Sequence, residues 1–193
     1  MKLVILFSCL AIAAAQVPKA CETPPVWHGI EVGKDYDSQF ERRRTLHYDE
    51  PNERVHFIDY DKVNTTYETH IELFLHKQKE HYSVDLRTGQ CTRSPLTEPF
   101  RPFSIPPTAR FVGEFVLGST AVAGAGAIVD VWSGLDMFRG GNFTVGVTNA
   151  GCVPIFFDHF TERYGYYHAQ WYDIQLGIDI PTIFDVPRQC EEL

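Results

Sequence analysis

Apolar and polar residues alternate along most of this chain, which is the pattern of half-buried β-strands. The clearest case lies at residues 45–48 and 54–59, where two alternating runs flank the polar cluster 49–53. Two such runs around a short polar turn are typical of a β-hairpin. We therefore predict a hairpin here.

A second pair of runs, 69–75 and 81–86, brackets another polar turn. A helix competes for this region, because four residues also fall at helical spacing: Ile71, Phe74, Leu75 and Gln78. The alternation through residues 71–75 and the β-branched and aromatic residues that follow favour strands.

The middle of the chain, 91–107, contains five prolines and predicts a long connection rather than a regular element. The predicted strands after it are 111–117, 127–132, 142–148, 153–160 and 166–178. Many strands with short turns indicate an antiparallel β fold. Such a fold must close into a barrel, stack two sheets or curl around something.

The composition fits a β-rich domain with a large apolar interior, since 44% of residues are hydrophobic and 13% are aromatic. In a curled sheet the inner face is both core and pocket lining, and the sequence does not separate the two roles. The alternating apolar residues that are candidates for such a lining are Phe57, Leu73, Leu75, Phe115, Leu117, Trp132, Phe143 and Val145.

The N-terminus has the pattern of a secretory signal peptide. Lys2 precedes a short apolar run that closes on three alanines. The run is too short to span a bilayer. We predict that residues 1–15 are the signal peptide, and that residues 16–193 form one secreted domain.

Cysteines and glycosylation motifs agree with export. Removal of Cys9 with the leader leaves an even set, Cys21, Cys91, Cys152 and Cys190, whose wide spacing favours two disulfides over a zinc site. Spacing alone allows three pairings. Asn64 and Asn142 each begin an Asn-X-Thr motif without proline and are candidate N-glycosylation sites.

The charge balance argues against nucleic acid as a partner. Loss of Lys2 with the leader leaves 16 basic and 25 acidic side chains, a net charge of −9, whereas phosphate binding needs basic surface. GxSxG, HExxH and P-loop motifs are all missing from the sequence. We therefore expect a protein that is not an enzyme.

Metal binding has little support in the sequence. His47 and His56 lie on neighbouring predicted strands and face one another if the register allows, but scattered strand histidines are more often ordinary polar residues. There is no EF-hand loop for calcium. We therefore expect no cofactor, with calcium as the one alternative, and the metal ligands stay unknown.

Short segments spread over nearly the whole predicted mature chain resemble the ependymin-related proteins. They lie at residues 21–29 (CETPPVWHG), 48–49 with 52–55, 91–92 with 96–100, 105–106 and 173–178 (DIQLGI), and are followed by Phe184 and Cys190.

The resemblance implies two curved antiparallel sheets that form an open half-barrel with a deep apolar pocket, similar to bacterial lipoprotein carriers. It also implies lipid binding and a homodimer. Carried over residue by residue, it pairs Cys21 with Cys152 and Cys91 with Cys190. The cysteines of a third bridge, known in the mammalian members, are both absent here.

The eight histidines suggest a dependence on pH. Their full protonation would move the net charge of the mature chain from −9 to about −1. We therefore hypothesise that binding to anionic lipids strengthens towards lysosomal pH, which agrees with the behaviour that the resemblance implies.

Three functional hypotheses follow from the sequence. The first is a secreted protein that holds a lipid or another hydrophobic ligand between curved sheets. The second is a calcium-binding glycoprotein of the extracellular matrix that acts in cell adhesion without lipid cargo. The third, and weakest, is a hydrolase on the same scaffold.

Overall fold

The computed structural model describes residues 18–37, 40–138, 140–163 and 165–191. The predicted signal peptide lies outside these residues. Within them, no helix is long and apolar enough to cross a membrane.

Eleven antiparallel strands form one curved, open sheet. Their order is β6-β5-β4-β3-β2-β1-β11-β10-β9-β8-β7, so β6 and β7 are the free edges. The strands are β1 (Val26–Asp35), β2 (Phe40–Asp49), β3 (Arg54–Val63), β4 (Thr66–Leu75), β5 (Glu80–Asp85), β6 (Cys91–Pro95), β7 (Arg110–Gly118), β8 (Gly126–Leu135), β9 (Asn142–Thr148), β10 (Pro154–Thr161) and β11 (Gly165–Leu176).

The predicted open antiparallel β fold is confirmed. The resemblance implied two sheets, whereas the structure joins both halves into one. The junction is the pairing of β1 with β11, which runs from Trp27 opposite Leu176 to Asp35 opposite Tyr167. This long pairing brings the first and last strands together at the centre of the sheet.

Both predicted hairpins are confirmed. In the first, β2 and β3 pair over their full length, from Asp49 opposite Arg54 to Phe40 opposite Val63. In the second, β4 pairs with β5, which rules out the helix that competed for this region. Cross-strand packing over ten residues of β4 outweighs the local helical spacing.

The prediction of an irregular connection over 91–107 was wrong at its start. Cys91–Pro95 is an edge strand that pairs with β5. An edge strand needs partners on one side only and tolerates proline at its end. The remaining segment, 96–109, contains no strand and crosses one face of the sheet.

The two faces of the sheet are covered by different segments. We name the face under residues 96–109 the loop face. It buries Trp27, Leu46 and Tyr48 beneath Phe100 and Phe103. A second cluster on this face packs Trp132 and Val147 against Ile105.

The opposite face, named the tail face, lies under the C-terminal segment 177–191 with its short 3-10 helices Pro181–Phe184 and Arg188–Cys190. There Leu73, Tyr82 and Val84 pack against Phe184. The core of the domain is therefore split between the two sides of a single sheet.

Two disulfides attach these covering segments. Cys21 bonds Cys152, which ties the N-terminal segment to the turn before β10, and Cys91 bonds Cys190, which ties the tail to β6. These are the pairs that the resemblance implied. They close loops of 131 and 99 residues, so each should stabilise the fold by removing entropy from the unfolded chain.

Candidate functional site

The eight predicted pocket residues divide equally between the two faces. Side chains alternate along a strand, and register fixes which neighbours share a face. Phe57 pairs with Glu72, so Leu73 and Leu75 point the other way. The loop face carries Phe57, Trp132, Phe143 and Val145, and the tail face carries Leu73, Leu75, Phe115 and Leu117.

The tail-face members therefore do not line a pocket with the others. Leu73 and Leu75 are buried under the C-terminal tail. Phe115 and Leu117 lie on the edge strand β7 and are exposed. The loop face is the one that combines half-buried aromatic residues with a covering loop, so it is the candidate ligand site.

Three aromatic residues of this site were missed by the sequence analysis: Phe74, Phe157 and Trp171, all half-buried. Phe74 contacts the ring of Phe57 edge-on at 5.8 Å. Trp171 lies edge-on to Phe103 of the covering loop. Their positions follow from strand register, which alternation within one strand does not give.

A row of charged side chains lies beside the aromatic residues. Glu31, Arg44 and Asp59 face one another across β1, β2 and β3. Nε of Arg44 lies 2.8 Å from Oδ1 of Asp59 and 3.8 Å from Oε1 of Glu31. The guanidinium also stacks over the ring of Phe57 at 4.0 Å.

The next pair of opposite residues on this face of β2 and β3 is Arg42 and Asp61. Two hydrogen bonds of 2.8 and 2.9 Å join them. Glu31 accepts hydrogen bonds from the Tyr167 hydroxyl and the Trp171 indole N–H, both at 3.2 Å. The polar groups of Glu31 are therefore satisfied although the residue is buried.

Burial shifts the pKa of one carboxyl in this row and of one tyrosine beside it. It raises the pKa of the Asp59 carboxyl, although Arg44 and Arg42 lower it in part. Burial and the neighbouring Glu31 raise the pKa of Tyr167, so its hydroxyl stays protonated and donates. The row of Glu31, Asp59, Asp61, Arg42 and Arg44 holds three carboxylates and two guanidinium groups, and within it burial favours the protonated form of the Asp59 carboxyl.

The covering loop is fastened by Tyr48. Its hydroxyl donates to Oε2 of Glu50 at 3.0 Å and accepts from the backbone N–H of Phe103 at 3.1 Å. Thr23 adds a hydrogen bond to the Phe103 carbonyl at 2.8 Å. The loop is thus held at Phe103, directly over the aromatic part of the site.

Tyr48→Phe should lower the free energy of unfolding by about 1 kcal/mol, because it leaves the backbone N–H of the half-buried Phe103 without its acceptor. Amide hydrogen exchange at Phe103 should accelerate with it. Tyr60→Phe, on the exposed tail side, is the matched control and should leave both measurements unchanged. Equal losses in the two variants would contradict the role given to the Tyr48 hydroxyl.

At the far end of the sheet, a depression of about 510 Å³ opens between Thr108 and the β8–β9 turn. Phe143 lines it, together with Leu135, Met137 and Arg110. Its floor thus includes one of the predicted pocket residues.

On the tail face, His28, His47 and His56 lie opposite one another on β1, β2 and β3. Their ring centroids are 5.7 and 5.5 Å apart. The predicted neighbourhood of His47 and His56 is therefore observed. In the part of the chain that the structure describes, no group of three or more His, Cys, Asp or Glu side chains is placed to hold a metal ion.

Both candidate glycosylation sites are exposed. Asn64 lies in the tight turn between β3 and β4 with a φ of 56°, a left-handed conformation that asparagine tolerates. Asn142 begins β9.

Comparison with known proteins identifies the family. The family model described as Ependymin matches residues 64–190. Mammalian ependymin-related protein 1 of Mus musculus is 28% identical over 177 residues, which cover 90% of this chain and 77% of the mouse protein.

Among solved structures, an uncharacterized conserved protein from Thermus thermophilus shares the fold, with a TM-score of 0.56 and 13% identity over 86% of this chain and 87% of that one. A LolA superfamily protein from Nitrosomonas europaea also matches, with a TM-score of 0.38 and 8% identity over 86% and 91% of the two chains. The family match spans most of the chain, including β4 to β11 and the disulfide Cys91–Cys190. The chain therefore belongs to the ependymin family.

Proposed function

We propose that this chain is a secreted, non-catalytic glycoprotein that binds a lipid or another hydrophobic ligand on the loop face. The observation that carries the proposal is the row of half-buried aromatic residues beneath a covering loop, with buried charges beside it. Acyl chains fit the aromatic part, and a polar headgroup fits the charged row.

The charged row also supports binding of anionic lipid at acidic pH. Because the pKa of Asp59 is raised by burial, this carboxyl takes up a proton before an ordinary aspartate does as the pH falls. Protonation leaves Arg44 with Glu31, 3.8 Å away, as its remaining carboxylate neighbour in the row. Its guanidinium then has donors to offer a phosphate or sulfate headgroup.

Further parts of the proposal concern the setting of the protein. Residues 1–15 direct export, glycans occupy the exposed Asn64 and Asn142, and the protein works outside the cell or in the acidic lumen of lysosomes as a homodimer. Peptide mapping of the purified protein tests cleavage and glycans, and light scattering tests the dimer.

Native mass spectrometry with lipid extraction at pH 5 and pH 7 tests the ligand. We expect co-purifying lipid, held more tightly at pH 5. Phe74→Ala should reduce the retained lipid at least severalfold, because it removes an aromatic wall of the site. Tyr172→Ala, an exposed tyrosine on the opposite face, should retain it.

Empty protein at both pH values would contradict lipid binding. Calcium-dependent self-association of such empty protein would favour the alternative, a calcium-binding adhesion glycoprotein of the matrix.

A further inference from the structure

The hairpin of β7 and β8 carries an unusual run of residues. From Phe115 to Val129 the sequence contains no charged side chain. Every residue from Phe115 to Ile128 is exposed. The tip between the strands, residues 119–125, is built from small residues with one valine at its apex.

Apolar side chains project from both faces of this hairpin. Phe115 and Leu117 lie on the tail face, Val116 and Ile128 on the loop face, and Val122 at the tip. Their side chains are between 43% and 61% exposed. Among the residues that the structure describes, the buried clusters under the loop and under the tail include none of these five side chains.

A protein partner would cover one of these faces and leave the other in water. Two half-exposed side chains on a face offer roughly 200 Å², since even an aromatic side chain buries only about 150–250 Å² when fully covered. A stable dimer needs about 800 Å² from each partner. A fluid apolar medium, in contrast, contacts both faces and the tip together.

We propose that the β7–β8 hairpin is a membrane-contact element that inserts into the surface of a lipid bilayer. The uncharged rungs from Phe115–Val129 to Gly118–Gly126 span four residues per strand, or about 13 Å. This length matches the headgroup region and the first part of the acyl chains.

Two features set the depth of insertion. Glu114 pairs with Asp130 directly below the uncharged rungs, and the Asn149 amide donates to both carboxylates at 3.3 and 3.2 Å. Charge at this level stops deeper entry. In addition, β7 is a sheet edge with unpaired backbone groups, which must stay where interfacial water reaches them.

The contact is apolar, so it should not require anionic lipid. Co-sedimentation with phosphatidylcholine vesicles should show binding that 0.5 M salt leaves within about twofold, since salt screens charges but not apolar burial. A paired substitution, Leu117→Asp with Ile128→Asp, should weaken vesicle binding at least tenfold. Leu176→Asp with Val32→Asp, two exposed apolar residues elsewhere on the sheet, is the matched control and should bind as the unaltered protein does.

Photolabelling of the unaltered protein avoids any effect of substitution on folding. A phosphatidylcholine that carries a carbene precursor on its acyl chain should label residues 115–129. Labels confined to other segments would overturn the proposal, and so would equal binding of both paired variants. If the hairpin substitutions instead split a dimer and leave vesicle binding intact, the occupant is a second copy of the chain and the proposal fails.

The membrane contact of the hairpin is separate from the loop-face ligand site, so an experiment can contradict either proposal without the other. Lipid retained by the purified hairpin variant, measured by extraction, should equal that of the unaltered protein. Loss of retained lipid with normal vesicle labelling in Phe74→Ala would confirm that the two surfaces are distinct.

Discussion

Replacing Arg44 with leucine should lower the free energy of unfolding by about 3–5 kcal/mol at neutral pH. The side chain of Arg44 is 11% exposed, and those of Asp59 and Glu31 are 5% and 9% exposed. Removal of the guanidinium leaves two buried carboxylates without this cation, and Asp59 loses its partner at 2.8 Å. Leucine restores some contact with Phe57 but no charge.

Urea unfolding at pH 7 measures this loss. Arg43→Leu, one residue along the same strand and exposed on the other face, is the matched control and should change stability by less than about 0.5 kcal/mol. Adding Asp59→Leu to Arg44→Leu should recover a large part of the loss, because a buried ion pair replaced as a whole by apolar groups is often neutral. A loss below about 1 kcal/mol in Arg44→Leu would show that water reaches the row and screens it.

The row of charged side chains on β1, β2 and β3 could not be predicted from the sequence. Polar residues that alternate along a strand suggest a solvated face, and Arg42, Arg44, Asp59 and Asp61 have that spacing. The structure buries the two aspartates and half-buries the two arginines by placing each cation opposite a carboxylate of the next strand. Complementary charge across strands depends on register, which local periodicity does not determine.

Strands flanked by clear turns were predictable for the opposite reason. The cluster 49–53 fixes the β2–β3 hairpin, because polar turn residues and alternation agree locally. β1 lacked such a signal, since Gly29, Glu31 and Gly33 occupy its inward positions and interrupt the apolar pattern. Hydrogen bonding to β2 on one side and to β11 on the other holds these residues in a strand, although their own pattern does not predict one.

Register also explains the pocket candidates. Alternation identified Leu73 and Leu75 correctly as inward-facing, and both are buried. It did not show that the sheet has two covered faces, so residues under the tail were grouped with Phe57 under the loop. The resemblance implied a half-barrel with one inner face. The C-terminal tail covers the second face of the sheet, so the domain has two inner faces.

The histidines divide in a similar way. The predicted change in net charge on acidification assumed that each of the eight histidines is free to take up a proton. Burial lowers the pKa of His47, and it lowers the pKa of His56 to about 4. Above that pH, His56 therefore contributes little to the predicted rise in positive charge.

Acidification from pH 7 towards pH 4 should cost the fold about 3 kcal/mol through His56. The folded protein keeps this ring neutral, with a pKa of about 4 against 6.5 for an exposed histidine. The folded state thus binds fewer protons, so the stabilisation is complete above pH 6.5 and is lost as the pH falls towards 4. His47 faces His56 at 5.5 Å from β2 and adds repulsion when it is charged.

The other groups along this histidine row do not offset the penalty. Asp179 of the tail lies 3.7 Å from His47, and His28 stacks on the far side of His47. Among the described residues, Nδ1 of His56 is buried and has no hydrogen-bond partner, so a proton there gains no acceptor. On β4 its register partner is Leu73, which is apolar.

Urea unfolding of His56→Leu between pH 7 and pH 4 isolates the contribution. The variant should be at least as stable as the unaltered protein at pH 7, because leucine removes a buried polar atom that lacks a partner. Its stability should fall by about 3 kcal/mol less on acidification. Tyr60→Phe, at an exposed tyrosine of the same strand and face, is the control and should keep the pH dependence of the unaltered protein. If His56→Leu and the unaltered protein lose stability in parallel, the acid sensitivity belongs to other groups, and the His56 ring is protonated without cost.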